Sequence, residues 1–318
     1  MITLTTPYGE AHFVETDADA AQAVAWILCQ RAIAVDTETT GLDIFAATHS
    51  VRLVQFGSET VAYLFNAELW RAAVIEALAG LIANDSTIVM HNAPYDIMCL
   101  DIGRFVDRAA VYPHIVDTRI LAHLVDPRGK QDGAIGHSLK GLSAHYVDKD
   151  APDDQTALKA LFKDNGWGWA TVPLDNETYL LYSGVDVHLT LRLFRVLDKM
   201  TAHQSELRMF ERAVQEVTVN MQMRGVKIDT AYAATLGPHF DQLQADGATS
   251  AANWGITSVN SPKQVADVIT ALGVELLETT PNGAPKVDKT VLGDIIDNAD
   301  INPAAAEVAG AVLQAKRA

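Results

Sequence analysis

A chain of 318 residues, 49% of them hydrophobic, can bury a large core, and its length favours two domains over one. No apolar run reaches the roughly 18 residues of a membrane span, and the N-terminal MITLTTPYGEAHFVETD lacks the basic-then-apolar order of a signal peptide. A formal net charge of −16 argues against tight non-specific nucleic-acid binding by the whole surface, since phosphate backbones select basic faces; bound divalent metals or local basic clusters are the ways around it. The two cysteines, Cys29 and Cys99, fall in apolar segments and read as packed free thiols, which points weakly to a cytoplasmic setting with no membrane partner.

In chain order, IAVDTET (33–39), RLVQFGS (52–58), VAYLFNA (61–67) and STIVMHN (86–92) read as strands. Glu68 to Ala83 and Tyr95 to Gly103 have helical periodicity, and Pro94 suits a helix start. Asp117 opens a helix that runs to Val125 and is stopped by Pro127. Leu174, Leu181, Val185, Leu189 and Leu193 recur at three or four residue spacing and predict a long helix over 174–198. Strands interleaved with helices predict an α/β fold, a sheet flanked by helices. Composition turns polar at Thr201–Ser205, and the rest is almost wholly helical in pattern: 206–224, 230–250, 261–272, 287–297 and 303–317. The expected domains are therefore 1–203, α/β, and 204–318, mainly α-helical.

Asp36 and Glu38 stand two apart on a strand, so both carboxylates face one way. So close a pair raises its own pKa values, and a hard cation such as Mg²⁺ or Mn²⁺ resolves the conflict. Alone, the spacing is weak: Asp175-Asn176-Glu177 shares it and reads as an acidic first helical turn. The flanks strengthen the first pair, because Ile33-Ala34-Val35 is a buried strand and Thr39-Thr40-Gly41-Leu42 a tight turn, the kind of sheet end where ligand sites form. Asn92 ends the next apolar strand, and Asp96 lies in the following first helical turn; a cap and a dipole-favoured acid are the bland reading. Tyr182 and Asp186 are one turn apart on the long helix, on a face that also carries Leu189 and Leu193. An acid there needs a partner, and a metal is the simplest. Tyr146 and Asp150 repeat the spacing, but Asp148 and Lys149 make that segment look solvated. Four acids from three segments would hold two divalent cations ~3.5–4 Å apart, with Tyr182 orienting a water for phosphodiester hydrolysis.

The order Asp-x-Glu, Asn-x-x-x-Asp, Tyr-x-x-x-Asp, written here as VDTETTGLD (35–43), HNAPYD (91–96) and YSGVD (182–186), resembles the tyrosine subtype of the DEDD exonuclease superfamily. DTRILAHLVDP (117–127) and HSLKGLSAHY (137–146) look similar as well; the histidine subtype would need His where Leu181 stands. The resemblance implies a ribonuclease H-like fold and 3′→5′ removal of nucleotides from DNA ends. It also implies that Asp36, Glu38 and Asp186 hold one metal while Asp36 and Asp96 bear on another. Leu42 would wedge against the terminal base and Asn92 contact the terminal nucleotide.

ERAVQEVTVNMQMRGVKID (211–229) and NSPKQVADVITALGV (260–274) resemble the start and thumb of the polymerase region of family A, the DNA polymerase I family. The resemblance then stops: there is no Asp-Tyr-Ser-x-x-Glu, no Arg-x-x-x-Lys helix and no His-Asp-Glu. It implies a proofreading exonuclease of a replicative polymerase whose palm and fingers are not in this chain, with DNA and possibly a missing polymerase half as partners. A DNA- or partner-binding module and a free-standing RNA-trimming nuclease are the alternatives. Trp167 and Trp169 could stack on bases but fit packing better. His91, His137 and His188 have no metal-ligand spacing, and His188 is expected at the solvent or capping the packing. Lys227, Lys263, Lys286, Lys289, Lys316 and Arg317 read singly as solvated charges and together as a patch for duplex phosphates.

Overall fold

The computed structural model describes residues 1–151 and 154–317. One mixed sheet contains β1 (Ile2–Thr6), β2 (Gly9–Phe13), β3 (Ala32–Thr39), β4 (Val51–Gly57), β5 (Val61–Asn66), β6 (Thr87–Met90) and β7 (Ile115–Asp117), in the order β1-β2-β5-β4-β3-β6-β7. β3, β4 and β5 pair antiparallel, whereas β6 lies parallel to β3 and β7 parallel to β6. The chain enters through an antiparallel β1–β2 hairpin whose second strand lies parallel to β5. The four strands expected from periodicity are present within two residues at either end; the hairpin and β7 are additions.

Around the sheet run α1 (Asp17–Leu28), α2 (Arg71–Ala83), α3 (Ala93–Ile102), α4 (Arg108–Val111), α5 (Thr118–Val125), α6 (Leu139–Tyr146), α7 (Asp154–Asn165), α8 (Glu177–Met200) and α9 (Ser205–Arg224). Strand alternation sorts the core into two layers. Ile33, Val35, Val54, Phe56, Ile88 and Met90 pack with α1, α2 and α3. Ala34, Leu53, Leu64 and Val89 face Leu180, Val187 and Leu191 of α8 on the other side. This mixed sheet with helices on both faces agrees with the expected α/β fold.

Two glycines let α8 press close to the sheet. A Cβ on Gly184 would lie 2.6 Å from Ala11 Cβ of β2, and one on Gly57 2.4 Å from Val187 Cγ2. Real side chains avoid such approaches, so both positions hold the helix against the strands. Tyr182 and Asp186 ride on this clamped segment.

The chain divides into two compact units, residues 1–225 and residues from 226 onward. The polar stretch at 201–205 marks a short 3₁₀ turn, Ala202–Gln204, and not the end of the first unit. α9 still belongs to it: Val219 is buried in the first core layer, and Arg212 Nη1 donates to Pro113 O at 2.8 Å. The second unit contains α10 (Thr230–Asn253), α11 (Pro262–Ala271), α12 (Lys289–Asp297) and α13 (Pro303–Arg317). Its own core gathers Ala251, Ile256, Val265, Ile269, Leu292, Val308 and Val312. Ser261 caps α11 by accepting from the Gln264 amide, with Pro262 in the first turn. Among the described residues, no helix is long and apolar enough to cross a membrane.

Candidate active site

β3 places its acids by alternation. Asp36 and Glu38 share the face of Ala34, toward α8, while Thr37 points toward α3. The register with β4 slips between Glu38 and Thr39, a bulge at the site edge that re-aims the strand end. From α3, Asp96 Oδ1 accepts from the Thr37 amide at 3.1 Å and from the Thr37 hydroxyl at 2.6 Å, so Asp96 is tied to the strand between Asp36 and Glu38. Glu38 Oε1 accepts from Gln55 Nε2 and from Ser183 Oγ, each at 3.3 Å. Asp186 is 6% exposed and forms an ion pair with Lys140 of α6. The Lys140 ammonium also stands 5.3 Å from the centroid of the Tyr182 ring.

The carboxylates strain one another electrostatically. Burial, then Asp96, Glu38 and Asp186, push Asp36 well above the usual carboxylate range. Burial and then Asp186 do the same to Glu38, against the pull of Ser183 and Lys140. Burial raises Asp96 to about 7 despite the two Thr37 hydrogen bonds. The Tyr182 hydroxyl is raised by burial and by Asp186, Glu38 and Asp36, so it stays protonated at neutral pH. The set is thus brought together, with one cationic side chain at its edge. Among the described residues, no three His, Cys, Asp or Glu side chains already stand in a geometry that holds an ion. Asp96 is turned to Thr37 and Asp186 to Lys140.

Leu42 follows the turn at the end of β3, and Asn92 stands at the head of α3. Leu42 is 86% exposed, an apolar side chain held out to solvent beyond a pinned turn: Tyr95 OH donates to Gly41 O at 2.9 Å and lies 2.6 Å from Thr39 Oγ1. Asn92 is left-handed, with φ 67° and ψ 46°, a conformation Asn tolerates better than most side chains. Its Oδ1 accepts from Arg119 Nη1 at 2.6 Å.

Other residues fall where their chemistry sends them. Trp169 packs against Phe162, Tyr179 and Tyr182, and Trp167 joins the α8-side core. Tyr146 ends α6 while Asp150 pairs with Lys149 at the surface, so that repeat of the spacing builds no site. His188 is fully buried, contrary to expectation, because its Nδ1 lies 2.8 Å from the Ser58 carbonyl oxygen. Cys29 is exposed rather than packed; Cys99 is buried. Lys263 pairs with Asp267, and Lys286 with Glu278 and Asp288. The side chain of Arg317 lies outside the described residues. Lys140 was missed at the level of sequence; its signal is a lone cation between Leu139 and Leu142 in a chain with four acids to neutralise.

Residues 11–202 match the family model described as 3′-5′ exonuclease. The DNA polymerase of Mycobacterium phage D29 is 36% identical over 278 residues, covering 84% of this chain and 45% of that protein. The DNA polymerase of Mycobacterium phage L5 is 31% identical over 293 residues, covering 90% of this chain and 48% of that one. The chain thus spans about half the length of these curated relatives. Among solved structures, the catalytic core of RRP6 from Trypanosoma brucei, mutant C496S, superposes with a TM-score of 0.51 at 18% identity, covering 95% of this chain and 74% of its own. That likeness concerns the fold alone, and it agrees with the ribonuclease H-like reading of the sheet. With the match running from β2 to the end of α8, the very span that gathers the acids, the chain belongs to the 3′-5′ exonuclease family, a family of nucleases.

Proposed function

We propose that the first unit removes nucleotides from DNA 3′ ends by hydrolysing phosphodiester bonds with two divalent cations, Mg²⁺ or Mn²⁺, as the proofreading nuclease of a family A DNA polymerase. One observation carries the reading: Asp36, Glu38, Asp96 and Asp186, from β3, α3 and α8, crowd together, with burial and the neighbouring acids holding Asp36 and Glu38 well above the usual carboxylate range and burial raising Asp96. Structure gains nothing from such repulsion, whereas cation binding relieves it. The donor set fits: hard carboxylate oxygens suit Mg²⁺ and Mn²⁺. Asp36, Glu38 and Asp186 would hold one cation, with Asp36 and Asp96 bearing on the second. When bound, the pair would acidify a water and stabilise the charge on the leaving 3′ oxygen.

The chain's own groups supply the rest. Tyr182, kept un-ionised by burial, donates a hydrogen bond and orients the attacking water rather than abstracting its proton. Lys140, paired with Asp186, would be available to a substrate phosphate at the same edge were Asp186 to hold a cation. Leu42 offers an apolar face to the terminal base, and Asn92 a polar side chain to the terminal nucleotide. DNA is favoured over RNA because the D29 and L5 relatives are DNA polymerases. The second unit is read as the thumb-like start of a polymerase region, and a palm and fingers supplied elsewhere are required for synthesis. Free thiols at Cys29 and Cys99 support a reducing, cytoplasmic setting.

The test is 5′-labelled single-stranded DNA, matched and mismatched primer-template, and RNA of the same sequence, with Mg²⁺, Mn²⁺ or EDTA. Stepwise shortening from the 3′ end, fastest on single strands and mismatches and absent in EDTA, is expected. Full activity in EDTA would overturn the two-cation reading, and RNA cut faster than DNA the proofreading one.

A further inference from the structure

A fifth acid stands behind the four. Asp117 closes β7 and caps α5, and it is 5% exposed. Its two oxygens collect four N–H donors. Oδ1 accepts from the Asn92 amide at 2.9 Å and the Arg119 amide at 2.8 Å. Oδ2 accepts from the Ala93 amide at 2.9 Å and from Gln215 Nε2 of α9 at 2.7 Å. Only the Arg119 bond belongs to ordinary capping of α5. The Asn92 and Ala93 bonds cross to the start of α3, the turn that carries Asn92 at its head and Asp96 in its first coil. The Gln215 bond crosses to another helix altogether.

This arrangement does what a helix cap on α3 would otherwise do. Asn92 makes no capping bond with its own side chain, which is turned outward to Arg119. The left-handed backbone at Asn92 is a sparsely populated state that needs outside support. Asp117 supplies it, holding two consecutive amides of that turn with one buried carboxylate. Gln215 in turn fixes the carboxylate directly from α9, and both side chains line a cavity of about 300 Å³ with Asn92, Arg119, His123 and His137.

We propose that Asp117 is a positioning residue of the exonuclease site, setting Asn92 and Asp96 through the first turn of α3, and that Gln215 makes α9 part of that support. The proposal rests on the nuclease reading for its effect on rate, but not for its effect on structure. A helix whose last residue, Arg224, adjoins the boundary between the units thereby touches the site through two hydrogen-bonded side chains. Any partner that shifts α9 would be felt at Asn92.

The experiment uses the full chain and four variants, Asp117→Ala, Asp117→Asn, Gln215→Ala and Arg212→Ala. The last loses a bond from α9 to Pro113 O without touching Asp117, so it controls for plain loosening of α9. Amide hydrogen exchange of residues 91–97 is read first, without metal or substrate. Asp117→Ala is expected to speed it at least tenfold and Gln215→Ala several-fold, because a cavity water replaces Gln215 in part; Arg212→Ala should leave it unchanged. The single-turnover rate on a saturating oligonucleotide is read second. A misplacement of about 1 Å costs on the order of 10²-fold, expected for Asp117→Ala, with Asp117→Asn recovering part of it. The double variant Asp117→Ala/Gln215→Ala should be no slower than Asp117→Ala alone, since Gln215 acts through the carboxylate. If Asp117→Ala does not fold, Gln215→Ala decides. Unchanged exchange at 91–97 in the folded variants overturns the proposal whether or not the chain cuts DNA. A wild-type chain that fails to cut would instead overturn the nuclease reading and leave the exchange result standing.

Discussion

Helices α8 and α9 break hydrophobic patterning in opposite directions. α8 buries an acid: Asp186 is 6% exposed among Val185, Val187 and Leu189. α9 does the reverse and holds apolar side chains out: Leu207, Phe210, Val214, Val217 and Met221 are 44%, 61%, 41%, 57% and 61% exposed. Their spacing of three and four residues puts them on one stripe of the helix. A buried charge and an exposed apolar stripe each cost free energy in an isolated fold, so each needs a compensating partner. For α8 the partner set lies inside the first unit: Lys140 now, and cations in the proposed reaction. For α9, no described residue of the first unit buries the stripe. The contrast sets a helix whose odd residue is compensated within its own unit against one whose apolar stripe is left open.

The largest effect should come from removing an acid. Asp36→Ala takes away a proposed ligand of both cations, each worth several kcal/mol to the transition state, and should lower the cleavage rate on the order of 10³-fold or more. It also removes one member of the repelling set, so the melting temperature in EDTA should hold or rise. A variant that melts well below wild type in EDTA would make Asp36 a structural residue instead.

Tyr182→Phe comes next. It keeps the ring that packs on Trp169 and removes only the hydroxyl. A loss of ~10²–10⁴ in single-turnover rate with unchanged cation binding is expected of a water-orienting group. An unchanged rate would reduce α8's contribution to Asp186 alone.

The same contrast explains what could be read from the chain in advance. That Asp36, Glu38, Asp96 and Asp186 gather beside Tyr182 was legible because each motif sits on a regular element whose period fixes its direction. β3, β4, β5 and β6 were legible for the same reason. The β1–β2 hairpin was not, since β2 is short and gains its place only by pairing with β5, some fifty residues on. β7 has three residues, too few to show a period. Lys140 and Asp117 escaped because their importance lies in partners remote in sequence: Asp186 for one, Asn92, Ala93 and Gln215 for the other. His188 was misjudged for want of the Ser58 carbonyl that allows a buried imidazole. The compact units divide after Gly225 and not at the polar turn of 202–204, which says nothing of where Val219 goes.

Lys140 gives a third, smaller effect. Lys140→Met removes the ammonium that competes for Asp186, so divalent-cation affinity should rise about tenfold, a modest share of the Coulomb energy of a close partly buried pair. Titration calorimetry with Mg²⁺ and no substrate reads this directly. The metal-free melting temperature at pH 8 should fall, since the acids lose their internal counter-charge. Weaker cation binding would mean that Lys140 helps to build the site rather than holding it closed.

The metal-free chain should also report the acids through pH. Asp96 carries a folded-state pKa raised from 3.8 to about 7. A carboxyl raised on folding contributes stability in full below the unfolded value and loses it as pH climbs through the folded one. Melting temperature in EDTA should therefore decline between about pH 4 and 7 on account of this group, and saturating Mg²⁺ should flatten the decline. Asp96→Asn should flatten it without metal. A profile unaffected by that substitution would place the repulsion on Asp36 and Glu38 alone.

The smallest expected effect on the chain itself belongs to α9. Phe210→Lys and Val217→Lys replace exposed apolar side chains by solvated ones, and such surface changes fall within about 0.5 kcal/mol of stability. Exonuclease rates should not move, because neither residue touches Asp117, Gln215 or the four acids. Val219→Ala, two residues from Val217 on the same helix, should cost roughly 1–3 kcal/mol, because Val219 is 1% exposed and packs in the core of the first unit. That difference across one turn tests whether the stripe is free of the first unit. Its purpose is tested by adding the polymerase half of a related full-length polymerase in trans. If the stripe is covered by that half, the two Lys variants should weaken association at least tenfold while Val219→Ala, assayed at a temperature where it is folded, should not. Equal association by all three variants would mean that α9 is left bare for some other reason, and the symmetry drawn between it and α8 would fail.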